Sequence, residues 1–191
     1  MNAARQSRRK YLRGLMCAGL GVAAAPARAA APGIWQLGGT WRDDQDRRVT
    51  MAAWSGRPAL LTMAYGSCRR VCSTTLRLLQ RAQQAADARG LELEVVVVSL
   101  DPTVDTPAAW RQFREERSLQ RGNWHFLGGS PALTRRVADF LELRYWVYDD
   151  HVLHDFRIAA IDPAGRVAAR MDWVDDSPDA LVDALSAHAA R

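Results

Sequence analysis

The chain has 191 residues, enough for one ordinary domain and tight for two. Its hydrophobic content of 48% and charged content of 25% exclude a disordered chain. The net charge of +5 invites a nucleic-acid partner, but Arg5, Arg8, Arg9, Lys10, Arg13 and Arg28 all precede Ala29 with no acidic residue among them. Without those six, 20 basic residues face 21 acidic ones, which leaves no electrostatic footprint for nucleic acid.

Residues 1–29 have the layout of an export signal. Ser7-Arg8-Arg9-Lys10-Tyr11-Leu12-Arg13 is a basic region similar to the twin-arginine consensus, with an ordinary secretory signal as the alternative. Leu15 to Ala25 is a short run of small, weakly apolar residues, too short for a permanent span. Ala27-Arg28-Ala29 has the small-x-small pattern of a cleavage site. A periplasmic location follows as an expectation, with membrane contact only through an uncleaved signal. Cys17 follows Met16, which does not suit lipidation, and is expected to leave with the signal. That leaves 30–191 as one domain carrying Cys68 and Cys72 in an oxidising compartment. A pair four residues apart closes too short a loop to staple a fold. It suits redox chemistry or metal binding.

Along that domain, Gly38-Gly39 and Asp43–Asp46 flank Trp41 and mark a turn, and Arg48–Met51 is a short strand candidate. Pro58 opens the buried run Ala59–Tyr65, which Gly66-Ser67 breaks. From Cys72 to about Ala88, Leu76, Leu79, Ala82 and Ala86 keep helical spacing, with Gly90 as the stop. Leu93–Leu100 contains four consecutive valines, the pattern of a central strand covered on both faces. Thr106-Pro107, Ser130-Pro131 and Ser177-Pro178 each place a hydroxyl at an N-cap and proline at the first helical position. The bodies of these helices run to about Arg117, Leu141 and Ala189. Trp124–Leu127 is a strand candidate, and Phe156–Ile161 with Arg166–Met171 predict a hairpin across Asp162-Pro163-Ala164-Gly165. The expected fold is α/β: a thioredoxin-like mixed sheet with helices on both faces and an N-terminal β-hairpin extension.

A strand, a cysteine pair and a helix N-terminus in succession place the thiols where the helix dipole favours thiolate. Thiolates are soft ligands that select Cu(I), and two of them underfill a copper site, so a third ligand is expected elsewhere. His188 is expected to be solvated, and His125, between Trp124 and Phe126, to be structural. His151 and His154 share the segment Asp149–Asp155, read as a loop beside the cysteine turn, and spacing alone does not choose between them. Asp101-Pro102 is expected to end its strand and Asp105-Thr106 to cap the next helix, with Asp101 near the cysteines as the functional alternative. Tyr145, Trp146 and Tyr148 are expected in the core rather than in a partner groove.

These residues resemble the Sco/SenC copper proteins of cytochrome oxidase assembly over roughly Trp35 to Trp173. The likeness rests on Leu60–Cys72 with its Cys-x-x-x-Cys turn, on Val97-Val98-Ser99-Leu100-Asp101-Pro102 with Asp105-Thr106-Pro107, and on His154 followed by Ile161–Gly165. The resemblance implies a copper site, Cu(I) or Cu(II), of Cys68, Cys72 and His154. It also implies copper delivery to, or thiol reduction of, the copper subunit of cytochrome c oxidase or another copper or thiol client. The family's usual proline after each cysteine is replaced by Arg69 and Ser73, and its Ser or Thr after the histidine by Asp155. Loss of both prolines loosens the turn. Arg69 and Arg70 favour thiolate but repel an incoming Cu⁺ ion. These departures keep open a thiol–disulfide oxidoreductase with Cys68 and Cys72 as its redox pair and no stable metal. Peroxidase chemistry is disfavoured because no Thr-x-x-Cys turn is present.

Overall fold

The computed structural model describes residues 32–66, 71–149 and 151–189, and of residues 71–73 and 189 it describes the backbone. The expected signal, Cys68, Arg69 and Arg70 lie outside the described residues. In chain order the strands and helices are β1 (Trp41–Asp43), β2 (Arg48–Val49), β3 (Ala59–Ala64), α1 (Val71–Ala88), β4 (Glu94–Ser99), α2 (Pro107–Glu116), β5 (Trp124–Gly128), α3 (Pro131–Phe140), β6 (Tyr145–Tyr148), β7 (His151–His154), β8 (Ile158–Ile161), β9 (Val167–Met171) and α4 (Asp179–Ala189).

Seven strands form one mixed sheet in the order β2-β1-β5-β4-β3-β8-β9. β3, β4 and β5 run parallel, β1 and β8 run antiparallel to them, and the edge strands β2 and β9 are in turn antiparallel to β1 and β8. Every residue of β3 and β4 is buried, as their continuous apolar runs require of strands covered on both faces. Both parallel crossovers step in the same direction along the sheet, so their right-handedness puts α1 and α2 over one face. Trp124 and Phe126 of β5 point to that face. The Trp124 indole N–H donates to Gln83 of α1, and Phe126 packs against Trp110 and Phe113 of α2. α4 packs on α1, β8 and β9, and α3 on β4.

Local chemistry accounts for the element ends. Gly90 stops α1 with φ of +64°, and the Leu91 N–H returns to the Ala86 carbonyl at 3.0 Å. The Thr106 and Ser130 hydroxyls accept from Ala109 N–H and Leu133 N–H as N-caps. Gly165, with φ of +87°, closes the β8–β9 turn against the Asp162 carbonyl at 2.8 Å.

Four expectations are corrected. The Arg48–Met51 strand ends at Val49, and Met51 opens a 3-10 turn to Trp54 that buries both side chains. Trp41 lies in a strand, β1, which pairs with β5 and carries the expected hairpin onto the sheet edge. The supposed loop holding both histidines is β7, paired with β6 in a separate two-stranded ribbon. Trp146 and Tyr148 are not core residues: they lie on the outer side of that ribbon, 52% and 63% exposed. Tyr145 faces inward and is half-buried under the Arg135 guanidinium.

Candidate metal centre

β3 ends at Ala64, the Leu100 N–H still pairs with the Ala64 carbonyl at 2.8 Å, and buried Tyr65 and half-buried Gly66 lead toward Cys68. One residue, Ser67, separates Gly66 from Cys68, and Cys72 follows Val71 in the first turn of α1. In sequence, Cys68 thus falls between a fully buried strand and an 18-residue helix, and Cys72 falls in the first turn of that helix. Among the described residues no three His, Cys, Asp or Glu side chains are grouped to hold a metal ion.

The ribbon separates the two histidines by strand alternation. His151 and Leu153 point outward and are exposed, whereas Val152 is buried and His154 half-buried on the inner side. His154 pairs in register with Tyr145, and its ring lies edge-on to Tyr65 with centroids 6.0 Å apart. It therefore stands beside the last buried residue before the cysteine turn. Its Nδ1 lies 2.8 Å from the Asp155 carbonyl. A carbonyl only accepts, so Nδ1 carries the proton and Nε2 presents the lone pair, the arrangement that orients an imidazole as a ligand. The Asp155 side chain turns away: both of its oxygens bind the Arg144 guanidinium, at 2.9 and 3.2 Å, which holds its carboxyl below the usual range. The residue that departs from the family pattern thus contributes its backbone toward His154 and its charge to Arg144.

Asp101 ends β4 as expected, its N–H on the Ser99 hydroxyl at 2.9 Å and its carboxylate on Thr103. Asp105 corrects the capping expectation. Thr106 alone caps α2, and Asp105 is buried. One carboxylate oxygen accepts from the Gly66 N–H at 2.8 Å and the other from the Ser99 hydroxyl at 2.5 Å. Burial pushes its pKa up to about 6, with the Asp101 charge adding to the rise and the Ser99 and Gly66 hydrogen bonds opposing it.

The other histidines serve the fold. His125 Nε2 meets Glu94 at 2.7 Å and its ring packs on Trp54, while Glu94 also pairs with Arg57. His188 Nδ1 bonds the Ala184 carbonyl inside α4. Tyr65 and Asp105 are the site residues that sequence reasoning missed. Tyr65 reads locally as the end of a buried strand and Asp105 as a cap, and neither long-range contact has a local signature.

The SCO1/SenC family pattern matches residues 36–190. The chain is 21% identical over 156 residues to the SCO1 protein homolog of Bacillus subtilis, covering 78% of this chain and 80% of that one. Its fold matches Arabidopsis thaliana ScoI with copper bound, at a TM-score of 0.69 and 22% identity, covering 81% and 98% of the two chains. It also matches BsSco, described as having a disulfide switch and as a member of the Sco family of cytochrome c oxidase assembly proteins. That match has a TM-score of 0.69 and 21% identity over 80% and 92% of the chains. The thioredoxin-like expectation for the mixed sheet holds. With a fold, a motif order and a family pattern that agree over most of its length, the chain belongs to the SCO1/SenC family.

Proposed function

We propose that this protein is an exported copper-binding member of its family that serves assembly of the copper site of cytochrome c oxidase. Cys68, Cys72 and His154 hold the metal as cargo. The observation that carries this reading is the orientation of His154. Its Nδ1 proton is committed to a backbone carbonyl and its ring stands against Tyr65, at the threshold of the cysteine turn. Two thiolates and one imidazole are a soft donor set suited to Cu(I), and the amino end of α1 favours both thiolates. The likeness to a copper-bound ScoI and to the assembly protein BsSco supports the same reading.

The same cysteines can act without metal. A thiolate attacks a client disulfide and forms a mixed disulfide. The second thiolate then displaces the client, which leaves as a dithiol while Cys68–Cys72 becomes the disulfide. Arg69 and Ser73 in place of two prolines favour this second use, because a looser turn exchanges more readily than it stores metal.

Equilibrium dialysis of the reduced mature domain against Cu(I) tests the proposal. One bound copper per chain is expected, lost in Cys68→Ser and in Cys72→Ser. A reduced wild-type protein that binds no copper and still reduces a disulfide client leaves the oxidoreductase alone standing. Export is tested separately. Replacing Arg8 and Arg9 by lysine is expected to strand the protein in the cytoplasm, and normal periplasmic levels of that variant point to an ordinary secretory signal.

A further inference from the structure

The contact between Gly66 and Asp105 joins residues 39 apart in sequence and sits two residues before Cys68. Asp105 is itself held firmly. Its second oxygen takes the Ser99 hydroxyl proton at 2.5 Å, and its own N–H returns to the Asp101 carbonyl at 2.9 Å. Ser99 also receives the Asp101 N–H, so the carboxylate projects from a closed loop at the end of β4. At residue 66 a Cβ would stand 2.9 Å from Asp105 Oδ1, closer than real Cβ atoms come. The bond thus needs glycine on one side and a short, fixed acceptor on the other.

Resting on the function proposed above, we propose that Asp105 is a positioning residue for the cysteine turn, its carboxylate pinning the Gly66 amide and so the approach to Cys68. It touches neither metal nor client. A buried hydrogen bond between a charged acceptor and a backbone amide is stronger than a neutral one and exchanges little with water. With β3 anchored on one side and α1 continuing on the other, the segment that carries Cys68 starts from a fixed point. A fixed start raises the effective concentration of one thiol near the other. Loss of the anchor therefore weakens both the Cys68–Cys72 disulfide and a copper ion held between the two sulfurs.

The test uses the metal-free mature domain equilibrated with glutathione. Two glutathione thiols reduce one protein disulfide and leave as glutathione disulfide, two electrons and two protons being transferred. Asp105→Ala is expected to shift this equilibrium about tenfold toward the dithiol, about 30 mV. The same variant weakens Cu(I) binding about tenfold. Gly66→Ala, which pushes the carboxylate aside, shifts the same way. Asp105→Asn keeps an oxygen for the Gly66 amide and stays within about threefold of wild type. Ser130→Ala, which removes the remote N-cap of α3, lowers stability without moving the glutathione equilibrium. A wild-type equilibrium in Asp105→Ala, or an equal shift in Ser130→Ala, overturns the inference. Hydrogen exchange at the Gly66 amide decides the anchor independently of function. It is expected to be slow in wild type and Asp105→Asn and fast in Asp105→Ala, and equal rates in all three overturn it. A wild-type protein that forms no disulfide and binds no copper contradicts the proposed function instead.

Discussion

His125 and His154 are both half-buried imidazoles beside an aromatic ring, and they differ in what holds them. At His125 the carboxylate of Glu94 meets Nε2, Glu94 is shared with Arg57, and Trp54 covers the ring. At His154 a backbone carbonyl holds Nδ1 and leaves Nε2 to present a lone pair. Glu94 and Ser99 are the two ends of the same strand, β4. At the first end the carboxylates are matched to cations: Glu94 to Arg57, and buried Asp44 to Arg114. At the second, the Asp105 carboxylate meets an amide and a hydroxyl. The closed end maintains the sheet. The other end gathers Asp105, the Gly66 amide and the Ser99 hydroxyl, and the proposed function places its chemistry there.

The largest effect expected from breaking this contrast lies at the closed end. The Arg114 guanidinium donates to Asp44 at 2.5 Å and to the Leu119 and Arg121 carbonyls. Arg114→Leu leaves Asp44 buried without its cation and is expected to cost about 3–5 kcal/mol in urea unfolding. Copper binding by the folded variant stays at the wild-type level. A folded Arg114→Leu protein that has lost copper binding means that the two ends are coupled.

The next effect is a pH dependence at the other end. Asp105 titrates at about 6 in the folded protein, with Asp101, Ser99 and Gly66 around it, and near 3.9 when unfolded. The folded state therefore holds this proton more tightly. The resulting stabilisation is complete below about pH 4 and is lost as pH rises through about 6, on the order of 2–3 kcal/mol. Asp46, Asp87 and Glu142 slope the opposite way, their carboxyls lowered by Arg42, Arg121 and Arg170. Those groups are common to wild type and Asp105→Asn, so the difference between the two stability curves isolates Asp105. It is expected to descend between pH 4 and 6 in wild type relative to the variant. A flat difference shows that the carboxyl is not buried as described.

What was legible in the sequence follows the range of the interactions. The runs Ala59–Ala64 and Glu94–Ser99 announce buried strands because every position is covered, and Thr106-Pro107 and Ser130-Pro131 announce helices because capping acts within four residues. The β6–β7 ribbon was hidden. Asp150 and Asp155 flank four residues, too few to show a period of two, and the aromatic content of β6 reads as burial. Spacing could not separate His151 from His154, whereas strand alternation does once β7 exists. Asp105 obeys a local capping rule in the sequence and a contact 39 residues away in the structure.

The smallest effect tests the ribbon. Trp146→Ser removes a half-exposed indole from its outer side and is expected to change stability by less than about 0.5 kcal/mol. A loss well above about 1 kcal/mol in thermal or urea unfolding shows instead that the ribbon packs into the core.

Competition of the reduced domain with a Cu(I) chelator, run in parallel on wild type, His154→Ala, His151→Ala and His125→Ala, bears most directly on the contrast between the two imidazoles. Loss of a ligand is expected to exceed the 10- to 100-fold typical of outer partners, so His154→Ala weakens copper binding by at least about 100-fold. His151→Ala and His125→Ala change it by less than about tenfold, and His125→Ala lowers thermal stability instead. The Cys68–Cys72 disulfide still forms in His154→Ala, because thiol exchange needs no imidazole ligand. Copper binding that survives His154→Ala and fails in His151→Ala or His125→Ala contradicts the assignment of His154.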